Sequence, residues 1–181
     1  MSANPKIDFN NAMVELYTNQ YRKMGYHSDQ SLDLVAGSTI CLFSCYNNPA
    51  TANARTLVVR NKQTGVESQI RMAHNSIISF DTHANQQHTH KIVLDSLAVA
   101  ESKTEWIGVT FRLSKTHVKQ AMLVDGDGGE PRVPLRLASN EETIQFMQLK
   151  SEENKRADWG YPDRELDYTL SPGDLMPLSD P

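Results

Sequence analysis

The segment Ser38-Thr39-Ile40-Cys41-Leu42-Phe43-Ser44-Cys45-Tyr46 decides the fold class. It is rich in β-forming residues and apolar at alternate positions, the period of a strand that buries one face. A polar break, NNPATANA at 47–54, ends it. RTLVVRN (55–61) and VESQIRM (66–72) then flank KQTG (62–65), two β-runs around a glycine turn that read as a hairpin. His74 and Asn75 mark a further turn before the strand SIISF at 76–80. The polar stretch 81–89, crowded with histidine, reads as a loop, and HKIVLDS (90–96) and EWIGVTFRLS (105–114) as two more strands. At least six short strands therefore lie between residues 38 and 114, the pattern of an all-β sandwich or barrel.

The flanks are less regular. Residues 10–18 are open to helix or strand, and 30–37 read as a loop closing at Gly37. After Arg112 the character changes. VDGDGGEPRVP (124–134) reads as a flexible turn, since its Asp125-x-Asp127 pair lacks the spacing of a calcium loop. SNEETIQFMQLKSE (139–152) predicts a helix, with a Ser139/Glu142 capping box and the apolar pairs Ile144/Met147 and Phe146/Leu149. The Pro-rich end, 159–181, reads as a tail that wraps the domain or stays disordered. The expected organisation is a β core over 1–120 and a loop, helix and tail over 121–181.

Composition narrows the partners. The chain has 181 residues, 39% hydrophobic and 22% charged, with a net charge of −4. That suits one domain with a real core and supplies no strong basic field to attract nucleic acid. No apolar run approaches the roughly 20 residues of a membrane span, and the polar start MSANPKIDFNN is not a signal peptide. The expected setting is cytoplasmic or nuclear, not secreted. Cys41 and Cys45, four apart in one strand, read as reduced core residues too far apart to bridge.

His27 and Asp29 are the first candidates for chemistry. Two residues apart on an extended backbone, they leave it on the same side and can bind one ion. With one distant histidine they make a two-histidine-one-carboxylate site, which leaves positions open for chemistry. Four later histidines could complete it: His74, His83, His88 and His90. His90 opens a strand and is the better placed; His88 shares its parity and is the main rival. His74 reads as a turn residue and His83 as a loop residue. Arg112 follows Val109-Thr110-Phe111, and an arginine leaving a buried strand needs an anion, either a structural carboxylate or a bound one.

The order of these pieces resembles the AlkB-like branch of the Fe(II)/2-oxoglutarate-dependent oxygenases. The resemblance runs from about Tyr17 to Leu113, on MGYHSDQ (24–30), ARTLVVRNKQTG (54–65), HNSIISF (74–80), ANQQHTHKI (84–92) and VTFRLS (109–114). It implies a double-stranded β-helix, or jelly roll, with short flanking helices. It implies that His27, Asp29 and His90 bind iron, that Arg112 binds a carboxylate of 2-oxoglutarate, and that Tyr17 contacts that cosubstrate. The implied reaction consumes O2 and 2-oxoglutarate, releases succinate and CO2, and hydroxylates or demethylates a substrate. A methylated nucleobase is the family default, with a small molecule or protein side chain close behind. This chain has Glu15 where the family has asparagine. The family's closing Arg-x-Asn-x-Thr-Phe-Arg reads Trp106-Ile107-Gly108-Val109-Thr110-Phe111-Arg112, so one carboxylate partner is replaced; Arg55, Arg60 and Arg71 are candidates to substitute for it. Two other readings remain: a catalytically degenerate β-helix domain used for binding, and a cupin-like metalloprotein without 2-oxoglutarate.

Overall fold

The computed structural model describes residues 8–50, 54–94, 104–126, 129–162 and 167–176. It is mainly β, built largely from antiparallel sheets, with two α-helices among the described residues. Seven strands form the core: β1 (Asn11–Tyr17), β2 (Thr39–Tyr46), β3 (Thr56–Asn61), β4 (Glu67–Arg71), β5 (Ser76–Asp81), β6 (His88–Val93) and β7 (Trp106–Arg112). Four of them make one sheet in the order β1-β7-β2-β5, and three make a second in the order β4-β3-β6. The segment before β2 runs along the edge of the second sheet, bridged to β6 at Lys23↔Val93 and His27↔His90. The open question over residues 10–18 is resolved as strand, because β1 pairs along β7 from Asn11↔Arg112 to Tyr17↔Trp106.

Strand period explains the core. In β2, Ile40, Leu42, Ser44 and Tyr46 point inward and are buried, while Thr39, Cys41, Phe43 and Cys45 point to the other face. The two cysteines are thus free and half-buried on the outer face of the sheet; the expectation of core cysteines is corrected by this parity. Leu42, Tyr46, Leu57, Met72, Ile92 and Trp106 form the main buried cluster. The Trp106 indole folds back over Gly108, at the place where a β-carbon on residue 108 would stand. Its N–H donates to Ser44 Oγ at 2.6 Å. Tyr46 donates its hydroxyl to the Met72 carbonyl and accepts from the Arg55 backbone N–H, which ties the end of β2 to the hairpin β3–β4.

Two loop expectations are modified. Residues 81–89 are not all loop: α1 (Thr82–Gln87) forms there, capped by Asp81, whose side chain accepts from the Ala84 N–H. Residues 124–134 are not simply a turn. β8 (His117–Lys119), β9 (Met122–Val124) and β10 (Pro131–Pro134) make a small sheet; Asp127 lies outside the described residues. The boundary expected at residue 120 falls in the tight β8–β9 turn, where Gln120 and Ala121 both take positive φ. α2 (Asn140–Lys155) carries the Ser139/Glu142 capping box and runs three residues further than expected. Its Ile144 and Met147 are exposed, while Glu153 is buried. The tail wraps back, with β12 (Tyr168–Thr169) pairing in parallel with β11 (Arg136–Leu137).

Gly108→Ala should push the indole off its site and cost about 1–3 kcal/mol, read as a lower urea midpoint. Ser44→Ala, which strands the buried indole N–H, should cost a similar ~1–3 kcal/mol; an unchanged midpoint in both would contradict this packing.

Candidate metal centre

His27 and His90 meet because their backbones are paired. The His27 N–H donates to the His90 carbonyl at 2.9 Å, and the His90 N–H to the His27 carbonyl at 2.7 Å. Directly opposed antiparallel residues project to the same face, so both rings enter the space between the sheets, with centroids 4.6 Å apart. Asp29, two residues on from His27, joins them. One ligand atom from each of the three lies within 4.8 Å of the others. Two atoms bound to one divalent ion at about 2.1 Å lie no more than about 4.2 Å apart, so small side-chain rotations complete the grip. Among the described residues no other group of three histidine, cysteine or acidic side chains converges in this way.

The surroundings leave His27 and Asp29 in forms that could ligate an ion. His27 Nδ1 lies 3.1 Å from the Gly25 carbonyl, which can only accept. The proton therefore sits on Nδ1 and Nε2 keeps its lone pair for an ion. Burial lowers the His27 pKa, with His90 adding to the shift, so the ring stays neutral. Burial alone would raise Asp29, but the hydrogen bond to His90 and the charge of Arg112 win and hold the carboxyl well below its usual range. Arg112 donates from Nε (3.1 Å) and Nη2 (2.8 Å) to Asp29 Oδ2, and Oδ1 lies 3.4 Å from His90 Nε2.

The loop that carries Asp29 is held by residues far away in sequence. The Asn85 side chain, in α1, accepts from the Asp29 N–H at 2.8 Å and donates to the Asp29 carbonyl at 2.7 Å. Asn154, in α2, accepts from the Ser28 N–H at 2.7 Å. Glu153 beside it accepts from the Ser31 N–H, the Ser31 hydroxyl and the Tyr161 hydroxyl. Burial pushes the Glu153 carboxyl up against these hydrogen bonds, which favour its charged form. Asn85, Glu153 and Asn154 were not singled out from the sequence. Glu153 had a weak signal, an acid at a helix position facing the core, but nothing local marks the others.

The remaining sequence candidates separate clearly. His88 stands apart from the cluster: its Nδ1 lies 2.9 Å from the Ala84 carbonyl and its Nε2 near the Asn61 amide. His74 is in a turn, accepting from the Tyr46 N–H, and His83 is exposed on α1. Tyr17 donates its hydroxyl to Glu15 and stacks on Tyr21, and it does not line the cavity at the metal centre. Arg60 is paired with Glu67, and Arg71 is exposed. Arg55 is buried beside Tyr17 and Trp106, with its guanidinium on the Thr18 and Tyr21 carbonyls. Of the aromatics that could stack a base, Tyr21 is 40% exposed with its ring on Tyr17, and the other three make contacts within the chain. Trp106 is in the core, Tyr26 lies between Arg60 and Lys91, and Trp159 lies beside Arg156.

The cavity at the centre is small, about 50 Å³, enough for a few water-sized groups. Polar groups line it at Glu15, His27, Asp29, His90, Thr110 and Arg112, and apolar walls include Leu42, Leu57, Phe80 and Ile92. No described helix is long and apolar enough to cross a membrane. No family model matches the chain, and no curated protein matches it.

Asn85→Ala should weaken divalent-metal binding by about 10–100-fold while leaving the sheets folded, because Asp29 loses both of its backbone clamps. Calorimetric titration with Co(II), alongside far-UV circular dichroism, measures both; undiminished affinity would contradict the clamp.

Proposed function

We propose that this chain is an Fe(II)-dependent oxygenase that uses a 2-oxo acid as cosubstrate and hydroxylates or oxidatively demethylates its substrate. The observation that carries the reading is the convergence of His27, Asp29 and His90 within 4.8 Å, with Arg112 against Asp29 on the same inner face. The winding is in keeping with a double-stranded β-helix. Along the chain β2 and β5 join one sheet, β3, β4 and β6 the other, and β7 returns to the centre of the first. The AlkB-like Fe(II)/2-oxoglutarate enzymes, which the motifs resemble, are the class this reading points to.

The donor set fits the ion. Two imidazoles, that of His27 kept neutral by burial, and one carboxylate of lowered pKa give a mix of nitrogen and oxygen donors suited to a divalent iron. When bound, iron supplies the coupling of O2 to the oxo acid: R–CO–COO⁻, O2 and substrate C–H become R–COO⁻, CO2 and substrate C–OH. Such hydroxylation of an N-methyl group releases formaldehyde. The chain's own residues do the positioning. His27, Asp29 and His90 hold the ion and leave its other positions to outside ligands. Arg112 fixes the orientation of Asp29 and presents its charge to an incoming carboxylate. Leu42, Leu57, Phe80 and Ile92 keep the site poor in water. The fit is incomplete at one point. Arg112 meets a carboxylate at the metal end, but among the described residues lining the cavity there is no second cation for the far carboxylate of 2-oxoglutarate.

The substrate is a methylated nucleic acid, a small molecule or a protein side chain. The commitment of Tyr26, Trp106 and Trp159 to intramolecular contacts favours the latter two over a stacked base.

Anaerobic addition of Fe(II) and then a panel of 2-oxo acids should give the visible charge-transfer band of a chelated oxo acid, and His27→Ala should abolish it. Metal binding without a band from any oxo acid would support the cupin-like alternative. A folded protein that binds no metal would support a degenerate binding domain.

A further inference from the structure

Resting on that oxygenase reading, we infer that the co-ligand of this centre is a 2-oxo acid with one carboxylate and an apolar tail, and that Glu15 and the Trp106 indole over Gly108 disfavour a dicarboxylate. Strand register sets out the interior in rows. Arg112 stands in the row at the metal, Met13, Thr110, Leu42 and Ile78 form the next, and Glu15, Gly108 and Ser44 the one after. The rows are about 7 Å apart along the strands. The third row is not open space. The indole lies across Gly108 and is anchored to Ser44, so the second row is the last one in which a ligand finds room along β7. The polar group beyond it on the cavity side is a carboxylate, Glu15.

The charges agree with the shape. A divalent ion contributes two positive charges and Arg112 one, while Asp29 and Glu15 take away one each, leaving a single positive charge in the cavity. One carboxylate neutralises it. A second would be buried beside Glu15 and against Leu42, Leu57 and Ile92, with no free cation among the described lining residues. An unpaired buried carboxylate is strongly unfavourable. Arg55 does not relieve this, because its guanidinium is turned to the Thr18 and Tyr21 carbonyls and does not line the cavity.

An apolar tail, by contrast, has a place to go. A second cavity of about 220 Å³ shares Leu57, Phe80 and His90 with the metal cavity, and its other walls include Val59, Ile70 and Ile78. It opens between β4–β3–β6 and β5, on the side away from Glu15. A branched or straight hydrocarbon chain leaving the metal past His90 would be buried there.

The test uses the full chain, loaded anaerobically with Fe(II) and titrated separately with 4-methyl-2-oxopentanoate, 2-oxobutanoate and 2-oxoglutarate, following the charge-transfer band. The band should appear at concentrations roughly tenfold lower for 4-methyl-2-oxopentanoate than for 2-oxoglutarate, the scale of one unpaired buried charge against a buried apolar group. In Glu15→Gln the 2-oxoglutarate affinity should rise several-fold while that of 4-methyl-2-oxopentanoate hardly moves. Equal or tighter binding of 2-oxoglutarate by the parent overturns this inference and leaves the oxygenase reading standing. The absence of a band with all three acids removes the oxygenase reading itself, and this inference with it.

Discussion

Two backbone hydrogen bonds between His27 and His90 hold the rest of the centre in place. They are ordinary sheet hydrogen bonds, but they join the edge segment before β2 to β6 across more than sixty residues of chain. Because opposed antiparallel residues share a face, the bond that pairs the backbones also fixes which way both rings point. The extended backbone then carries Asp29 to the same side. Moving the register by one residue would send the rings to opposite faces of the sheet, and no rotamer change would restore the site.

A pair of edge bonds is weak on its own, and the fold supplements it from the other side of the loop. Asn85 grips Asp29 by both its N–H and its carbonyl, and Asn154 and Glu153 hold Ser28 and Ser31. The C-terminal helix is thereby a structural part of the centre without contributing a ligand. Its burial pattern reflects this: the residue it buries most deeply is Glu153, at 2% exposure, while Ile144 and Met147 face outward. A buried acid is tolerated because three hydrogen bonds satisfy it, in line with the high cost of leaving such a group alone.

At the other end of the interior the space is taken up by packing. Trp106 and Gly108 fill it with an indole, and the absence of a side chain at 108 is what lets the ring lie across the strand. The indole is part of the core cluster with Leu42, Tyr46, Leu57, Met72 and Ile92. Among the described residues that line the cavity, Arg112, Asp29 and Glu15 are the charged side chains apart from the histidines.

The sequence by itself determined the β class, because period-two alternation in β2 and β7 is a local property of a half-buried strand. It also determined the capped start of α2 and the shared side of His27 and Asp29, since both depend on residues a few positions apart. It favoured His90, which opens the strand, with His88 as the rival because parity puts both on one face of the same strand. Register decided between them: His90 stands opposite His27, whereas His88 stands opposite Asn61 and turns to the Ala84 carbonyl. The direction of Cys41 and Cys45 was likewise a question of which face met the other sheet. α1 was missed because its polar residues carry no apolar period, and Asn85 and Asn154 because their partners lie 56 and 126 residues away. Contacts of that range exist only once the sheets have packed, so the pairing of His90 with His27, the clamps on Asp29 and the indole-filled end of the cavity belong to the tertiary structure alone.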